Sequence, residues 1–354
     1  MPQASLNLEY CAACGFIRQV QEIQPSIDYA HVERGTAQQL PHYTTTIIDG
    51  MKKRGITTQD FIVEIGCNDG SFLDALKASG FENLLGVEPS VGLSQTAASK
   101  GFRVEPIPLT PDNARKIIGK HGQADAVVCR HTLEHVPAPK DLIAAIATLL
   151  KPGGICIIEV PDTDWVIEHL CIHEIWDEHI SYFRPGSLHR LLKSKGLSVL
   201  ALDAIRFRDT RNLVCFAMRG ETPDALEQVR DQTTLEDIAN CADRWRILIN
   251  SLQNAIAAAP KPLIAIGASH IQINFINFAK LDMQIQILID DDPRKQNRRA
   301  PIGKGIPIIS TDDAIESIVQ GTILRTAFPY PAWMDKITDT MAAKGVTIID
   351  PFDL

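Results

Sequence analysis

A short apolar run that ends in a glycine-rich turn constrains the fold more than any other feature of the sequence. Residues 61–65 read Phe-Ile-Val-Glu-Ile, and the turn Gly66-Cys-Asn-Asp-Gly70 follows directly. Three apolar side chains then recur at the spacing of a helix face: Phe72, Leu73 and Leu76. Further strand patterns lie at 84–88, 125–130 and 155–160. Strands and helices that alternate in this way predict an α/β fold with a doubly wound parallel sheet.

The second half of the chain predicts a hairpin, a helical connector and a second α/β unit. Strand patterns at 197–207 and 212–218 favour a hairpin that adds an antiparallel edge strand to the sheet. Residues 221–259 carry apolar side chains at helical spacing. Further strand patterns lie at 263–266, 285–289, 306–309, 322–327 and 346–349. These predict a second, smaller Rossmann-like domain.

The composition is that of a globular protein of about two domains. The 354 residues are 45% hydrophobic, 22% charged and carry a net charge of −8, which excludes a disordered chain and a nucleic-acid-coating role. No apolar run is long enough to span a membrane, and the first residues lack a leader pattern. We therefore expect a cytoplasmic protein that binds neither membranes nor nucleic acid. Four segments are predicted: 1–45, 46–220, 221–259 and 260–354.

The glycine-rich turn has the character of a nucleotide-binding turn, since glycines let the backbone approach a ligand. Its pattern, Glu64-x-Gly66-x-Asn68-x-Gly70, differs from the dinucleotide fingerprint. Glu64 and the turn carbonyls can accept from the ammonium of an amino-acid tail. Glu88 ends the next strand, where an acid can accept both hydroxyls of a ribose. Together these features look like the S-adenosylmethionine site of a class I methyltransferase.

Two further segments follow strands at the same predicted sheet edge. The first begins at Arg130-His131 and continues to Glu134-His135; it closely resembles the H-x-L-E-H-V segment of many class I methyltransferases, which lies beside the cofactor's methionine moiety and the acceptor pocket. The second, 173–183, crowds histidines, acids and aromatics into eleven residues. A histidine next to an acid suits a general base. Zinc is a competing interpretation of this second segment, although its spacing matches no standard ligand motif.

Four motifs together resemble the sugar C-methyltransferases, over residues 8 to about 310. They are C-x-x-C-G at 11–15, E-I-G-x-N-D-G-S-F-L at 64–73, E-H-I-S-Y-F at 178–183 and D-x-x-P-x-K-Q-N-R at 290–298. The resemblance implies an N-terminal zinc knuckle, a class I methyltransferase Rossmann-like core and a C-terminal Rossmann-like domain that helps hold the substrate. It also implies a nucleotide-linked 4-keto-deoxysugar as acceptor, methylated at C3.

The resemblance carries four catalytic residues onto this chain. His179 with Glu178 matches the family's catalytic pair, so we expect His179 to remove the proton next to a carbonyl and Glu178 to orient it and raise its pKa. Tyr29 and His135 match residues expected to hydrogen-bond the developing oxyanion. Arg130 and His131 are expected to join Glu64, Gly66, Asn68, Gly70 and Glu88 around the cofactor, S-adenosylmethionine.

The chain also departs from the family's pattern. The family's knuckle uses two C-x-x-C pairs, whereas Cys11 and Cys14 supply only two of four ligands. We therefore expect no bound metal unless His31 or His42 folds back. Trp176 and Asp177 stand where the family has Tyr-His, residues 209–212 replace glycines of the last core hairpin, and His270 replaces a small or basic residue.

Several functions stay open at this level. The first is C-methylation of a carbonyl-bearing small molecule, and the second is O- or N-methylation of a small polar metabolite by the same His179. A non-catalytic binding protein and a nicotinamide-dependent oxidoreductase are further alternatives, the last weakened because Gly267-Ala-Ser269 lacks the three-glycine fingerprint. We expect a small-molecule acceptor, nucleotide-linked or not, and a monomer or a homodimer.

Overall fold

The computed structural model describes residues 6–20, 41–207, 210–220, 229–326 and 332–354. These residues form three sheets. The smallest consists of β1 (Leu8–Tyr10), β2 (Ile17–Gln19) and β8 (Ser181–Tyr182). The largest consists of β3 (Ile62–Ile65), β4 (Leu84–Val87), β5 (Arg103–Glu105), β6 (Ala124–Arg130), β7 (Leu150–Pro161), β9 (Leu197–Phe207) and β10 (Thr210–Arg219). The third consists of β11 (Leu263–Ile266), β12 (Ile285–Ile289), β13 (Arg299–Ala300), β14 (Ile306–Ile309), β15 (Thr322–Arg325) and β16 (Thr347–Ile349).

Helices connect these strands in the alternation that the sequence predicts. In the first α/β unit they are α1 (Pro41–Lys53), α2 (Ser71–Ala78), α3 (Val91–Ser99), α4 (Pro111–His121), α5 (Pro139–Leu149), α6 (Thr163–Glu168) and α7 (Pro185–Lys193). The connector is α8 (Leu235–Ala258), and the second unit adds α9 (His270–Phe278), α10 (Thr311–Ser317) and α11 (Ala332–Ala343). The α/β fold with a second Rossmann-like unit is confirmed. None of the described helices is long and apolar enough to cross a membrane.

The seven-stranded sheet buries both of its faces, which explains why its strands read as continuous apolar runs. All four residues of β3 are buried. Val63 and Ile65 pack into one hydrophobic cluster, and Ile62 packs into a second one on the other face. The second cluster also contains Phe72, Leu73 and Leu76 of α2 and several side chains of α1. Strand β3 is therefore packed on both faces at the centre of the domain, and the turn that follows it starts from a rigid position.

The last two strands of this sheet correct one expectation. The sheet order is β5-β4-β3-β6-β7-β10-β9, with β10 antiparallel to both β7 and β9. The hairpin was expected to put its antiparallel strand at the edge, but that strand lies one position inside it. Because β10 pairs with β7 over Asn212–Met218, it brings residues from near position 212 next to the end of β7.

The described part of the N-terminal segment, 1–45, contains regular secondary structure. Strands β1 and β2 form a hairpin, β2 pairs with β8, and α1 begins at Pro41. The buried Gln19 side chain donates from Nε2 to the carbonyls of Trp176, at 2.5 Å, and His179, at 2.7 Å. The hairpin thus holds the 173–183 segment in place. Tyr29 and His31 lie outside the described residues, and so does the side chain of His42.

Removing the Gln19 amide should destabilise the protein. A buried hydrogen bond contributes about 0.5–1.5 kcal/mol, so Gln19→Ala should lower the free energy of unfolding by about 1–3 kcal/mol. Chemical denaturation measures this change. Gln95→Ala is the matched control, because Gln95 is exposed on α3 and its loss should change stability by less than about 0.5 kcal/mol. Equal effects of the two substitutions would contradict the anchoring role of Gln19.

Candidate active site

The turn after β3 brings the backbone close to the neighbouring loop. Gly66 has a φ of +70°, and a Cβ placed there would lie 2.2 Å from Oγ1 of Thr132. Only glycine fits this position. Thr132 in turn donates from Oγ1 to the carbonyl of Arg130 at 3.0 Å. The turn and the segment after β6 are therefore in direct contact, as their common position at the carboxyl edge of the sheet predicts.

Glu64 is buried at the end of β3 with one carboxylate oxygen, Oε2, that has no hydrogen-bond partner among the described residues. Burial raises the pKa of Glu64 to about 8, and the nearby acids Glu88 and Asp69 add to the shift, while Arg130 opposes it. An unpartnered buried carboxyl group is costly. A cationic ligand at this position would remove that cost, and the ammonium of an amino-acid tail has the right chemistry.

Glu88 follows β4 and fastens the glycine-rich turn. Its Oε2 accepts a hydrogen bond from the backbone N–H of Asn68 at 3.0 Å, and its Oε1 accepts from the N–H of Ser90 at 2.8 Å. Asn68 adopts a φ of +53°. Each carboxylate oxygen can accept more than one hydrogen bond, so these contacts leave Glu88 able to accept from hydroxyls as well. They also fix the direction in which its carboxylate points.

Glu159 is the centre of a buried polar network. The carboxylate is fully buried in β7 and accepts hydrogen bonds from Tyr43 at 2.6 Å, Arg130 at 2.5 Å and Asn212 at 3.0 Å. Nε2 of His131 lies 2.8 Å from Oε1. Burial alone would raise the pKa of Glu159, but Arg130 and His131 hold it well below its usual range. Glu159 is therefore an anion at neutral pH.

The same network fixes Arg130 and His131, which the sequence assigned to the cofactor site. Desolvation disfavours the His131 imidazolium, but the carboxylates of Glu159 and Glu134 outweigh it and raise the pKa of His131. The Arg130 guanidinium also lies 4.3 Å from the ring centre of Phe72, a favourable cation–π contact. Sequence reasoning missed Glu159 itself. The signal for it is a single acid inside the apolar run 155–160.

A second cluster joins Glu134, His135 and His179. One ligand atom from each lies within 4.8 Å of the others, and the two imidazole rings are 4.9 Å apart between centres. The backbone N–H of Ile180 donates to the carbonyl of Glu134 at 2.9 Å, which joins the two loops. The structure thus brings together His135 and His179, which the sequence separates by 44 positions. Glu134 is an addition to the predicted site residues.

Backbone carbonyls orient both imidazole rings. Nδ1 of His135 lies 2.9 Å from the carbonyl oxygen of Glu178, and Nδ1 of His179 lies 2.9 Å from that of Glu174. A carbonyl only accepts, so Nδ1 carries the proton in each ring and a neutral ring has its lone pair on Nε2. Burial, with the neighbouring His135, lowers the pKa of His179 well below its usual value. The expectation that Glu178 raises this pKa is wrong in direction.

Trp176 connects this cluster to the C-terminal unit. Its ring centre lies 5.1 Å from that of His179, and it stacks on His270 at 4.9 Å. Asn274 of α9 also donates to the carbonyl of His173 at 3.5 Å. The indole Nε1 of Trp176 is buried and has no hydrogen-bond partner among the described residues. The first residues of α9 therefore form part of the wall around the two histidines.

Comparisons with known proteins give the class of protein that this chain resembles. Residues 43–202 match the family model of a methyltransferase domain. Over 326 residues the chain is 26% identical to the C-methyltransferase NovU from Streptomyces niveus, covering 87% of this chain and 77% of that protein. It is 27% identical over 174 residues to a ubiquinone biosynthesis O-methyltransferase from Cupriavidus pinatubonensis, covering 48% of this chain and 66% of that enzyme.

Among solved structures, the magnesium protoporphyrin IX methyltransferase from Synechocystis PCC 6803 with bound S-adenosylmethionine matches with a TM-score of 0.39 and 16% identity. The match covers 51% of this chain and 79% of that one. From the sequence matches and the site described above, the chain is a methyltransferase. More particularly, its methyltransferase domain is matched over residues 43–202, and most of the chain is similar to a C-methyltransferase. This result argues against the alternative of a non-catalytic binding protein.

Neutralising Glu159 should destabilise the site. Glu159→Gln removes the anion between two cationic side chains, and breaking a buried ion pair costs about 3–5 kcal/mol. Chemical denaturation near pH 7 measures the loss. Glu82→Gln is the matched control because Glu82 is exposed, and its loss should cost less than about 0.5 kcal/mol. A Glu159→Gln protein as stable as the control would show that the network contributes little.

Proposed function

We propose that the enzyme methylates a carbon atom of a carbonyl-bearing small molecule, a nucleotide-linked keto-deoxysugar being the acceptor class. The observation that carries this proposal is the pair of imidazoles formed by the half-buried His135 and the buried His179, each with Nδ1 on a backbone carbonyl. A neutral imidazole with a fixed Nε2 lone pair suits removal of a proton next to a carbonyl. The 26% identity to a C-methyltransferase over most of the chain supports the same reaction.

The residues around the glycine-rich turn fit S-adenosylmethionine. The unpartnered Oε2 of Glu64 suits its ammonium, and the lack of a side chain at Gly66 lets the turn lie directly against Thr132. Glu88 is proposed to accept from the ribose hydroxyls. Asn68 and Gly70 shape the turn, and Arg130 and His131 close the side that faces the second cluster. When bound, S-adenosylmethionine supplies an electrophilic methyl group.

We propose that Nε2 of His179 takes the α-proton from the methyl acceptor. Burial affects this role because it changes the pKa of His179. Because the pKa of His179 is lowered, the ring is neutral at physiological pH and its Nε2 does not already carry a proton. The Nδ1–H bond to the carbonyl of Glu174 fixes its tautomer and stabilises the imidazolium that forms. Glu178 acts through its backbone carbonyl, which orients His135 rather than His179.

The oxyanion that develops needs hydrogen-bond donors. His135 was expected to be one, but with Nδ1 donating to a carbonyl it can donate from Nε2 only as an imidazolium. The buried indole N–H of Trp176 is a donor in the same cluster. We therefore assign the oxyanion contact to Trp176 and keep His135 as a residue that packs against the ring of His179. The proposed role of Tyr29 stays a prediction, since that residue lies outside the described part of the chain.

A second candidate function is methyl transfer to oxygen. The 27% identity to a ubiquinone biosynthesis O-methyltransferase over the core favours it, and the same His179 would deprotonate a hydroxyl group. A screen with labelled S-adenosylmethionine and nucleotide-linked 4-keto-deoxysugars, followed by mass spectrometry of the product, separates the two. A carbon-bound label supports the first proposal, and an oxygen-bound label supports the second.

Loss of the imidazole of His179 should lower kcat with little effect on cofactor affinity. For His179→Asn we expect a decrease of roughly 10²–10⁴ in single-turnover rate, the range for a general base. His121→Asn is the control, because His121 pairs with Glu105 outside this cluster. If His179→Asn turns over near the wild-type rate while His135→Asn is inactive, the base is His135 and our assignment is wrong.

Cofactor binding should release a proton from Glu64. With a pKa raised to about 8, this carboxyl group is mostly protonated at pH 7, and an ammonium beside it favours the anion. Calorimetry at pH 7 in buffers of different ionisation enthalpy should therefore show proton release to the buffer, approaching one proton, and little release at pH 9. Glu64→Gln should abolish the buffer dependence and Glu82→Gln should keep it. Unchanged proton release in Glu64→Gln would place the ammonium elsewhere.

A further inference from the structure

We propose that Glu134, His135 and His179 form a binding site for a divalent transition-metal ion such as Zn²⁺, and that the bound ion inhibits methyl transfer. The metal site rests on the geometry of the three side chains alone. Its inhibitory effect rests also on the proposed function, because a metal ion on Nε2 of His179 occupies the lone pair that would accept the proton. This cluster is separate from Cys11 and Cys14, where the sequence raised the question of zinc.

The three side chains offer the donor set that zinc takes in three-ligand sites. Two imidazole nitrogens and one carboxylate oxygen leave a fourth position of the tetrahedron open. The ligand atoms lie within 4.8 Å of one another, and Nε2 of His135 is 3.9 Å from Oε1 of Glu134. Around a tetrahedral ion with bonds of about 2.0–2.1 Å, the ligand atoms lie about 3.3–3.4 Å apart, so the three side chains must move closer together when an ion binds. Imidazole donors favour Zn²⁺, Co²⁺ or Ni²⁺ over Mg²⁺, which prefers oxygen ligands.

Both histidines already have the hydrogen bond that metal-ligating histidines usually have. Such a ring donates its other N–H to a carboxylate or a backbone carbonyl, which fixes the tautomer and directs the lone pair at the metal. Here Nδ1 of His135 faces the carbonyl of Glu178, and Nδ1 of His179 faces that of Glu174. The outer shell of the site is therefore in place before an ion binds, and neither ring has to change its tautomer.

The carboxylate supplies an independent observation. Glu134 is 2% exposed, and its Oε2 is buried with no hydrogen-bond partner among the described residues. Its other oxygen, Oε1, lies 3.5 Å from Nδ1 of His131. An unsatisfied buried carboxylate oxygen is unfavourable. A divalent cation bound by the carboxylate of Glu134 and the two imidazoles would place a positive charge next to this oxygen.

A cobalt titration tests the site directly. The full-length protein carries Cys11→Ser and Cys14→Ser to remove competing thiols, has no affinity tag and is stripped with a chelator. Co²⁺ should bind with a stoichiometry of one and give the visible absorption of a low-coordinate ion, and Zn²⁺ should displace it. His179→Asn and the nearly isosteric Glu134→Gln should each weaken binding at least about tenfold, a loss that removal of an outer-shell partner alone can reach. His121→Asn should bind Co²⁺ like the parent.

Activity measurements test the proposed inhibition by the bound ion. Zn²⁺ should slow methyl transfer by the parent protein in proportion to its occupancy, a chelator should restore the rate, and cofactor affinity should not change. The metal site is overturned if Co²⁺ gives no saturable band, or if folded Glu134→Gln and His179→Asn proteins, checked by circular dichroism, bind it like the parent. The inhibitory role is overturned if the zinc-loaded protein is as fast as the stripped one. Because the titration needs no acceptor, it succeeds or fails independently of the proposed reaction.

Discussion

The buried anion of Glu159 is the interaction on which the site depends. It joins α1 through Tyr43, β6 through Arg130 and β10 through Asn212. A charge in the middle of a sheet is tolerated only when it is paired and hydrogen-bonded. The pairing keeps Glu159 ionised, and the anion in turn holds His131 in a backbone conformation with φ of +46°. The turn after β6, which leads to Glu134 and His135, therefore starts from a fixed point.

The N-terminal hairpin secures the other side of the site. The N–H of Cys11 donates to the carbonyl of Phe16 at 2.9 Å, and the N–H of Gly15 donates to that of Cys11 at 2.8 Å. Arg190 of α7 donates to the carbonyl of Cys14 at 2.9 Å. Backbone hydrogen bonds thus close the turn, and β2 lies next to the loop that carries His179. The absence of zinc at the cysteines stays a prediction.

Local patterns in the sequence could predict most of the first sheet, because a doubly covered strand and its glycine turn are encoded within ten residues. The position of β10 could not be predicted, since a hairpin pattern does not state which of its strands pairs with β7. The Glu159 network was missed for a similar reason: Tyr43 and Asn212 reach it across 116 and 53 positions. Nor could the sequence show that Nδ1 of His179 faces the carbonyl of Glu174, because a backbone group can orient an imidazole as well as a neighbouring side chain can.

The two histidines show how one arrangement can support two kinds of chemistry. Backbone carbonyls fix the tautomer of both rings, and burial keeps His179 neutral, so its Nε2 lone pair stays in a constant position. A proton acceptor and a metal ligand need the same lone pair. A carboxylate that helps balance an imidazolium also balances a cation. An enzyme that uses this cluster as a base therefore loses that base when a transition metal binds there. Trp176, which lies against His179 and stacks on His270 of the C-terminal unit, is the aromatic side chain next to this shared lone pair.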